Sequence, residues 1–140
     1  MVGRVRLGSM ATTILLVDDD PLQAYMCKTL LDRRFAGVKR VADAAEALCL
    51  VEQPQFADDL GLVISRARLP GIGGPAFVAE LHSRRPELPV LVLGDDMQWP
   101  VDMKGAHVRF LPRASSKEEI VSAADQMLAK SGGLSGVKVA

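Results

Sequence analysis

The sequence predicts an α/β domain built on a doubly wound, five-stranded parallel sheet. Three observations carry this expectation. Short apolar runs alternate with amphipathic stretches along most of the chain. Most of those runs lack strict polar–apolar alternation, as strands covered on both faces do. Helix-starting residues follow the runs in five successive units, which lays helices on both sides of a parallel sheet.

The elements follow in order. TILLV (Thr13–Val17) is a continuous apolar run of strand length. Asp20 and Pro21 supply an N-cap and a first-turn proline for a helix that reaches Arg34, with Leu22, Met26 and Leu30 at helical spacing. GVKRVA is a short strand, and Asp43 caps a second helix with Ala44, Ala47, Leu48 and Val51 on one face. LGLVIS (Leu60–Ser65) is a buried strand. LPGIGG then turns into a helix carrying Phe77, Val78 and Leu81, which Pro86 stops. LPVLVLG (Leu88–Gly94) and HVRFL (His107–Leu111) are the fourth and fifth strands. Pro100 interrupts the segment between them, so the fourth helix is expected to be shortened or irregular. Ser116-Lys117-Glu118-Glu119 is a capping box opening a last helix, with Ile120, Val121, Ala124, Met127 and Leu128 inward.

Residues 1–11 are expected to be a leader or a cloning remnant. MVGRVRLGS precedes a second methionine, Met10, and has no apolar core long enough for a signal peptide. The domain proper is placed at residues 12–130, and the Gly/Ser-rich residues 131–140 are expected to form a flexible tail. With 49 % apolar and 24 % charged residues, the 140-residue chain has the profile of an ordinary globule of one domain. Formal net charge is zero, so nothing global argues for a nucleic-acid or membrane partner. Cys27 and Cys49 each sit inside an apolar helical stretch and read as reduced core residues rather than a disulfide.

Chemistry concentrates at ILLVDDDP, where three carboxylates crowd the tip of a buried strand. Such a cluster needs a cation. One candidate is a divalent metal on Asp18, Asp19 and Asp20, helped by Asp95 and Asp96; the other is an arginine from within the chain. Asp20 is most simply the helix cap. His82 and His107 lack a partner cluster, and no catalytic triad, zinc spacing or phosphate-cradling glycine loop is present.

Across about residues 12 to 130 the chain resembles the receiver domain of bacterial response regulators, the CheY-like fold, whose strand order is 2-1-3-4-5. ILLVDDDP, LPGIGG, LPVLVLG, GAHVRFLPR and SSKEEI carry the resemblance. It implies two acidic residues after the first strand that bind Mg²⁺, here Asp18 and Asp19. It also implies a phosphate-accepting aspartate four residues before the proline of LPG, and that position is Arg66. The hydroxyl residue ending strand four corresponds to Gly94, the phosphate-contacting lysine to Arg113, and the switch aromatic to Phe110. The segment after Gly94 is about one helical turn shorter than the usual pattern.

These departures shape the functional expectation. Arginine accepts no phosphoryl group and ligates no Mg²⁺. With strands one and three adjacent, the Arg66 guanidinium can reach Asp18 or Asp19. The pocket of Asp18, Asp19, Arg66, Gly94 and Arg113 therefore reads as degenerate, with vestigial metal ligands and no cofactor. Ser65, one residue off, should face away from it. The chain is expected to be a stand-alone, cytoplasmic, non-enzymatic pseudo-receiver of a two-component or phosphorelay pathway. It would act by contact with a signalling protein such as a histidine kinase or a downstream effector, or as a homodimer, with Trp99, Arg109 and Phe110 forming the partner surface. The alternative placement of Trp99 is inward, as a plug beside the short helix. Two other functions stay open: a sensor that binds an anionic small molecule, such as a cyclic dinucleotide, through the arginines of Arg33/Arg34, Arg66/Arg68, Arg84/Arg85, Arg109 and Arg113; and a conventional phosphorelay receiver.

Overall fold

A computed structural model of the chain describes residues 12–94, residue 99 and residues 107–137, the last seven by backbone alone. The expected leader, the expected fourth helix with Asp95, Asp96, Met97, Pro100 and Met103, and residues 138–140 lie outside the described residues.

Strands β1 (Thr13–Val17), β2 (Gly37–Val41), β3 (Leu60–Arg66), β6 (Val90–Leu93) and β7 (Val108–Leu111) form one parallel sheet in the order β2-β1-β3-β6-β7. A separate antiparallel ribbon joins β4 (Arg68–Leu69) to β5 (Ile72–Gly73) around Pro70 and Gly71. The helices are α1 (Pro21–Arg34), α2 (Ala44–Val51), α3 (Pro54–Asp59), α4 (Gly74–Arg84) and α5 (Lys117–Val137). The ribbon and α3 are additions to the elements expected from sequence.

Alternation along each strand splits the core in two. Leu15, Val17, Val63, Val90 and Val92 meet Ala47 and Val51 of α2 and Phe77 and Leu81 of α4 on one face. Ile14, Leu16, Leu62, Ile64 and Leu91 meet Ala24, Cys27 and Leu31 of α1 and Ile120, Ala123 and Ala124 of α5 on the other. Each fully buried leucine or isoleucine contributes roughly 1.5–3 kcal/mol, so these two layers supply most of the driving force.

Helix starts are set by local hydrogen bonds. Asp20 Oδ1 accepts from the amides of Leu22 (3.0 Å) and Gln23 (3.2 Å), and Asp43 Oδ1 accepts from Glu46 (2.8 Å). The capping box of α5 is reciprocal: Ser116 Oγ accepts from the Glu119 amide at 3.1 Å, while Glu119 Oε1 accepts from the Ser116 amide at 2.7 Å.

Three details differ from the sequence reading, and the first is Cys49, expected in the core but exposed. The apolar spacing of Leu22, Met26 and Leu30 does not mark the packed face of α1. Ala24, Cys27 and Leu31 are buried instead, while Leu22 is 65 % and Met26 43 % exposed. Small side chains at Ala24 and Cys27 let this helix lie close to the sheet. The backbone of α5 also continues to Val137, beyond the tail boundary set at residue 130; its hydrogen-bonded turns carry on through the glycines.

Candidate functional site

β1 lies between β2 and β3, with Val17 in register with Val41 on one side and Ser65 on the other. The next residues along, Asp18 and Arg66, therefore emerge side by side at the carboxyl edge of the sheet. Arg66 Nη1 donates to Asp18 Oδ1 at 3.3 Å. The same oxygen accepts from the Asp20 amide at 2.9 Å. From the opposite neighbour strand, Arg40 donates to the Asp18 carbonyl oxygen through Nε (3.1 Å) and Nη2 (2.7 Å). Asp18 is buried, so its charge is met inside the protein by guanidinium and amide donors rather than by water.

The three carboxylates of the acidic run point to three different tasks. Asp18 faces Arg66, Asp20 caps α1, and Asp19 is exposed on the wall of a cavity. That cavity, of about 840 Å³, opens at the carboxyl ends of β3, β6 and β7. Its described lining includes Arg66, Arg68 and Arg113 and the apolar Leu93, Phe110 and Leu111. Arg66 and Arg113 also border a smaller adjoining space of about 210 Å³, together with Asp18 and Lys117. Gly94 sits between β6 and the cavity with φ +145°. A Cβ built there would lie 2.5 Å from Ala67 Cβ, so this position has no room for a hydroxyl-bearing side chain. Ser65 is buried, donates to the Arg66 carbonyl at 2.9 Å and lines neither space.

The sheet order agrees with what comparison with known proteins finds: the response regulator receiver domain family matches residues 14–125. The chain belongs to the receiver domain family. This receiver is 28 % identical over 120 residues to the C4-dicarboxylate transport transcriptional regulatory protein DctD of Pseudomonas aeruginosa, covering 84 % of the chain and 25 % of that relative. It is 31 % identical over 127 residues to the transcriptional regulatory protein AruR of the same organism, covering 86 % and 50 %. The chain spans from a quarter to about half the length of the curated relatives it matches. Among solved structures it resembles the receiver domain from the hybrid histidine kinase CckA, with a TM-score of 0.67, 26 % identity and coverage of 83 % and 98 %. A receiver domain protein from Clostridium thermocellum superposes with a TM-score of 0.74 at 19 % identity, covering 88 % and 98 %, which is a likeness of fold.

The family resemblance implies Mg²⁺ on Asp18 and Asp19, and two of the three carboxylates of the run are already engaged by donors of the chain. A divalent ion needs several oxygens converging on one point. Here the Asp18 carboxylate meets the Arg66 guanidinium, and Asp20 turns into its helix. Among the described residues no three His, Cys, Asp or Glu side chains group as metal ligands.

The proposed partner trio does not form one surface. Trp99 is only 6 % exposed and stacks edge-on against Phe110, with ring centroids 5.0 Å apart and planes at 83°. It also closes over Gly74, where a Cβ would meet the indole at 2.5 Å. The inward placement of Trp99 is therefore the one adopted. Arg109 and Phe110 are neighbours on β7, so they face opposite sides of the sheet. Phe110 packs with the Trp99 layer, while exposed Arg109 donates to Gln126 Oε1 on α5 at 2.8 Å.

The arginines also separate. Arg34 pairs with Asp125 (2.6 Å), Arg84 with Glu52 (2.7 Å) and Glu80 (2.8 Å), and Arg85 donates to the carbonyls of Ala57 (2.8 Å) and Leu60 (3.3 Å). These tie the fold together away from the cavity. Arg40, which sequence reasoning missed, grips Asp18 because β2 is the other neighbour of β1; the register of a parallel pair was the signal that points to it.

Proposed function

We propose that this receiver signals in a two-component pathway by protein–protein contact, without accepting a phosphoryl group and without Mg²⁺. The observation that carries the reading is the Arg66–Asp18 ion pair at the end of β3. In-line transfer to a carboxylate requires that carboxylate and a metal to offset the charge of the transition state. At the position the family resemblance assigns to the acceptor, this receiver presents a guanidinium that engages the acidic side chain instead. Gly94 and Arg113 at the two phosphate-sensing positions support the same reading, because the first offers no hydroxyl.

Its partners are then a histidine kinase or a downstream effector that recognises one standing conformation. The Trp99–Phe110 contact supports a single state, since the aromatic on β7 is already packed against a buried indole. Incubation with acetyl phosphate and Mg²⁺, followed by intact mass measurement, tests the proposal. The mass should not change. A phosphoryl adduct that is lost in mild base would show that a carboxylate of this receiver is an acceptor after all.

A further inference from the structure

We infer that the cavity at the carboxyl ends of β3, β6 and β7 reversibly binds a phosphate-bearing small molecule, with Arg68 and Arg113 as its anion-recognising residues. Among the described residues its lining includes three arginines, Arg66, Arg68 and Arg113, and one acidic residue, Asp19. Arg66 is already engaged by Asp18 through Nη1. Arg68 and Arg113 are exposed at the mouth and make no hydrogen bond or ion pair to any other described residue. Every other arginine that takes part in an ion pair lies outside this lining. Guanidinium forks with no partner among the described residues are suited to bidentate recognition of phosphate oxygens.

The remaining walls argue for more than an inorganic ion. At about 840 Å³ the space lies in the range of pockets that enclose small organic ligands, and a bare phosphate would leave most of it empty. Leu93, Phe110, Leu111 and Pro112 also line it and supply apolar surface. An apolar wall beside a cationic rim matches a ligand with a ring at one end and a phosphate at the other, as in a nucleoside monophosphate. Lys117 beyond Arg113, on the adjoining space, extends the positive field toward the amino terminus of α5.

This inference shares its pocket with the proposed function but does not use its chemistry, and inorganic phosphate and nucleotides donate no acyl-linked phosphoryl group. The test is therefore read independently of the acetyl phosphate experiment. The full chain is titrated at constant ionic strength with inorganic phosphate, with adenosine and guanosine monophosphates, and with the two unphosphorylated nucleosides, following amide chemical shifts and melting temperature. The expected result is saturable binding of phosphate, tighter binding of at least one nucleotide, and no binding of the nucleosides. Shifts should centre on Arg66, Gly94 and Arg113. Arg68→Ala with Arg113→Ala, both exposed positions, should leave the unliganded melting temperature near that of the parent and weaken nucleotide binding by at least roughly tenfold, the loss of charge-assisted hydrogen bonds. Binding that survives the double substitution would place the ligand elsewhere and overturn the assignment. So would the absence of binding by phosphate and both nucleotides.

Discussion

Arg66 Nη1 lies 3.3 Å from Asp18 Oδ1, and Arg40 holds the carbonyl of the same residue from the other side. Asp18 is thus clasped by arginines from both strands that flank β1. The Arg66 side chain is 24 % exposed and that of Asp18 5 %, so the pair is largely shielded from solvent. Removing one member of a buried pair typically costs about 3–5 kcal/mol, because the other is left unbalanced. With Arg66 partly wet, Arg66→Ala should cost somewhat less, about 2–3 kcal/mol. Added Mg²⁺ should recover part of the loss by standing in for the guanidinium. Denaturant unfolding with and without Mg²⁺ measures both effects, and a variant as stable as the parent in metal-free buffer would refute this account.

Gly94→Thr, which restores a hydroxyl at the end of β6, should destabilise the receiver by about 2–4 kcal/mol. Backbone strain at φ +145° and the 2.5 Å approach to Ala67 Cβ both contribute. Ala67→Gly in the same chain removes the collision but not the strain, so it should recover only part of the loss. A double-mutant cycle of these two positions reads the coupling; additive effects would mean that they do not collide.

Trp99→Ala should cost about 3–5 kcal/mol, the range for emptying a buried aromatic site. Arg109→Glu should change stability little, since Arg109 is exposed and loses only its bond to Gln126. Unfolding curves of the two variants should separate clearly. Equal stabilities would show that Trp99 does not plug the core.

Thiol chemistry should distinguish the two cysteines. Burial, the largest influence, pushes Cys27 up to about 11, with Asp18 adding to the rise and Lys117 opposing it. The folded state therefore favours the protonated thiol. Its contribution to stability is present below the ordinary thiol value of 9.0 and is lost as pH rises through about 11. At neutral pH a maleimide should label exposed Cys49 and spare Cys27 until the protein is unfolded. Peptide mapping after labelling locates the adduct; rapid modification of Cys27 in the native protein would contradict its burial.

The sequence by itself determined the parallel sheet and the starts of α1, α2 and α5. Those features are local. Apolar run length, an Asp-Pro start and a capping box act within a few residues, and the carboxyl edge follows from strand direction. The meeting of Arg66 with Asp18 needed only one further fact, that the first and third strands are adjacent. Tertiary structure decided the rest. Whether α1 buries Leu22 and Met26 or Ala24 and Cys27 depends on how closely the helix approaches the sheet. Trp99 turned inward because Gly74 and Phe110 leave a space that fits the indole, and strand alternation then set Arg109 apart from Phe110. Which arginines brace the fold and which face a cavity depends on partners far away in the chain, as with Arg34 and Asp125. Side-chain period is written locally, whereas charge pairing and close packing are settled only when distant segments share one space.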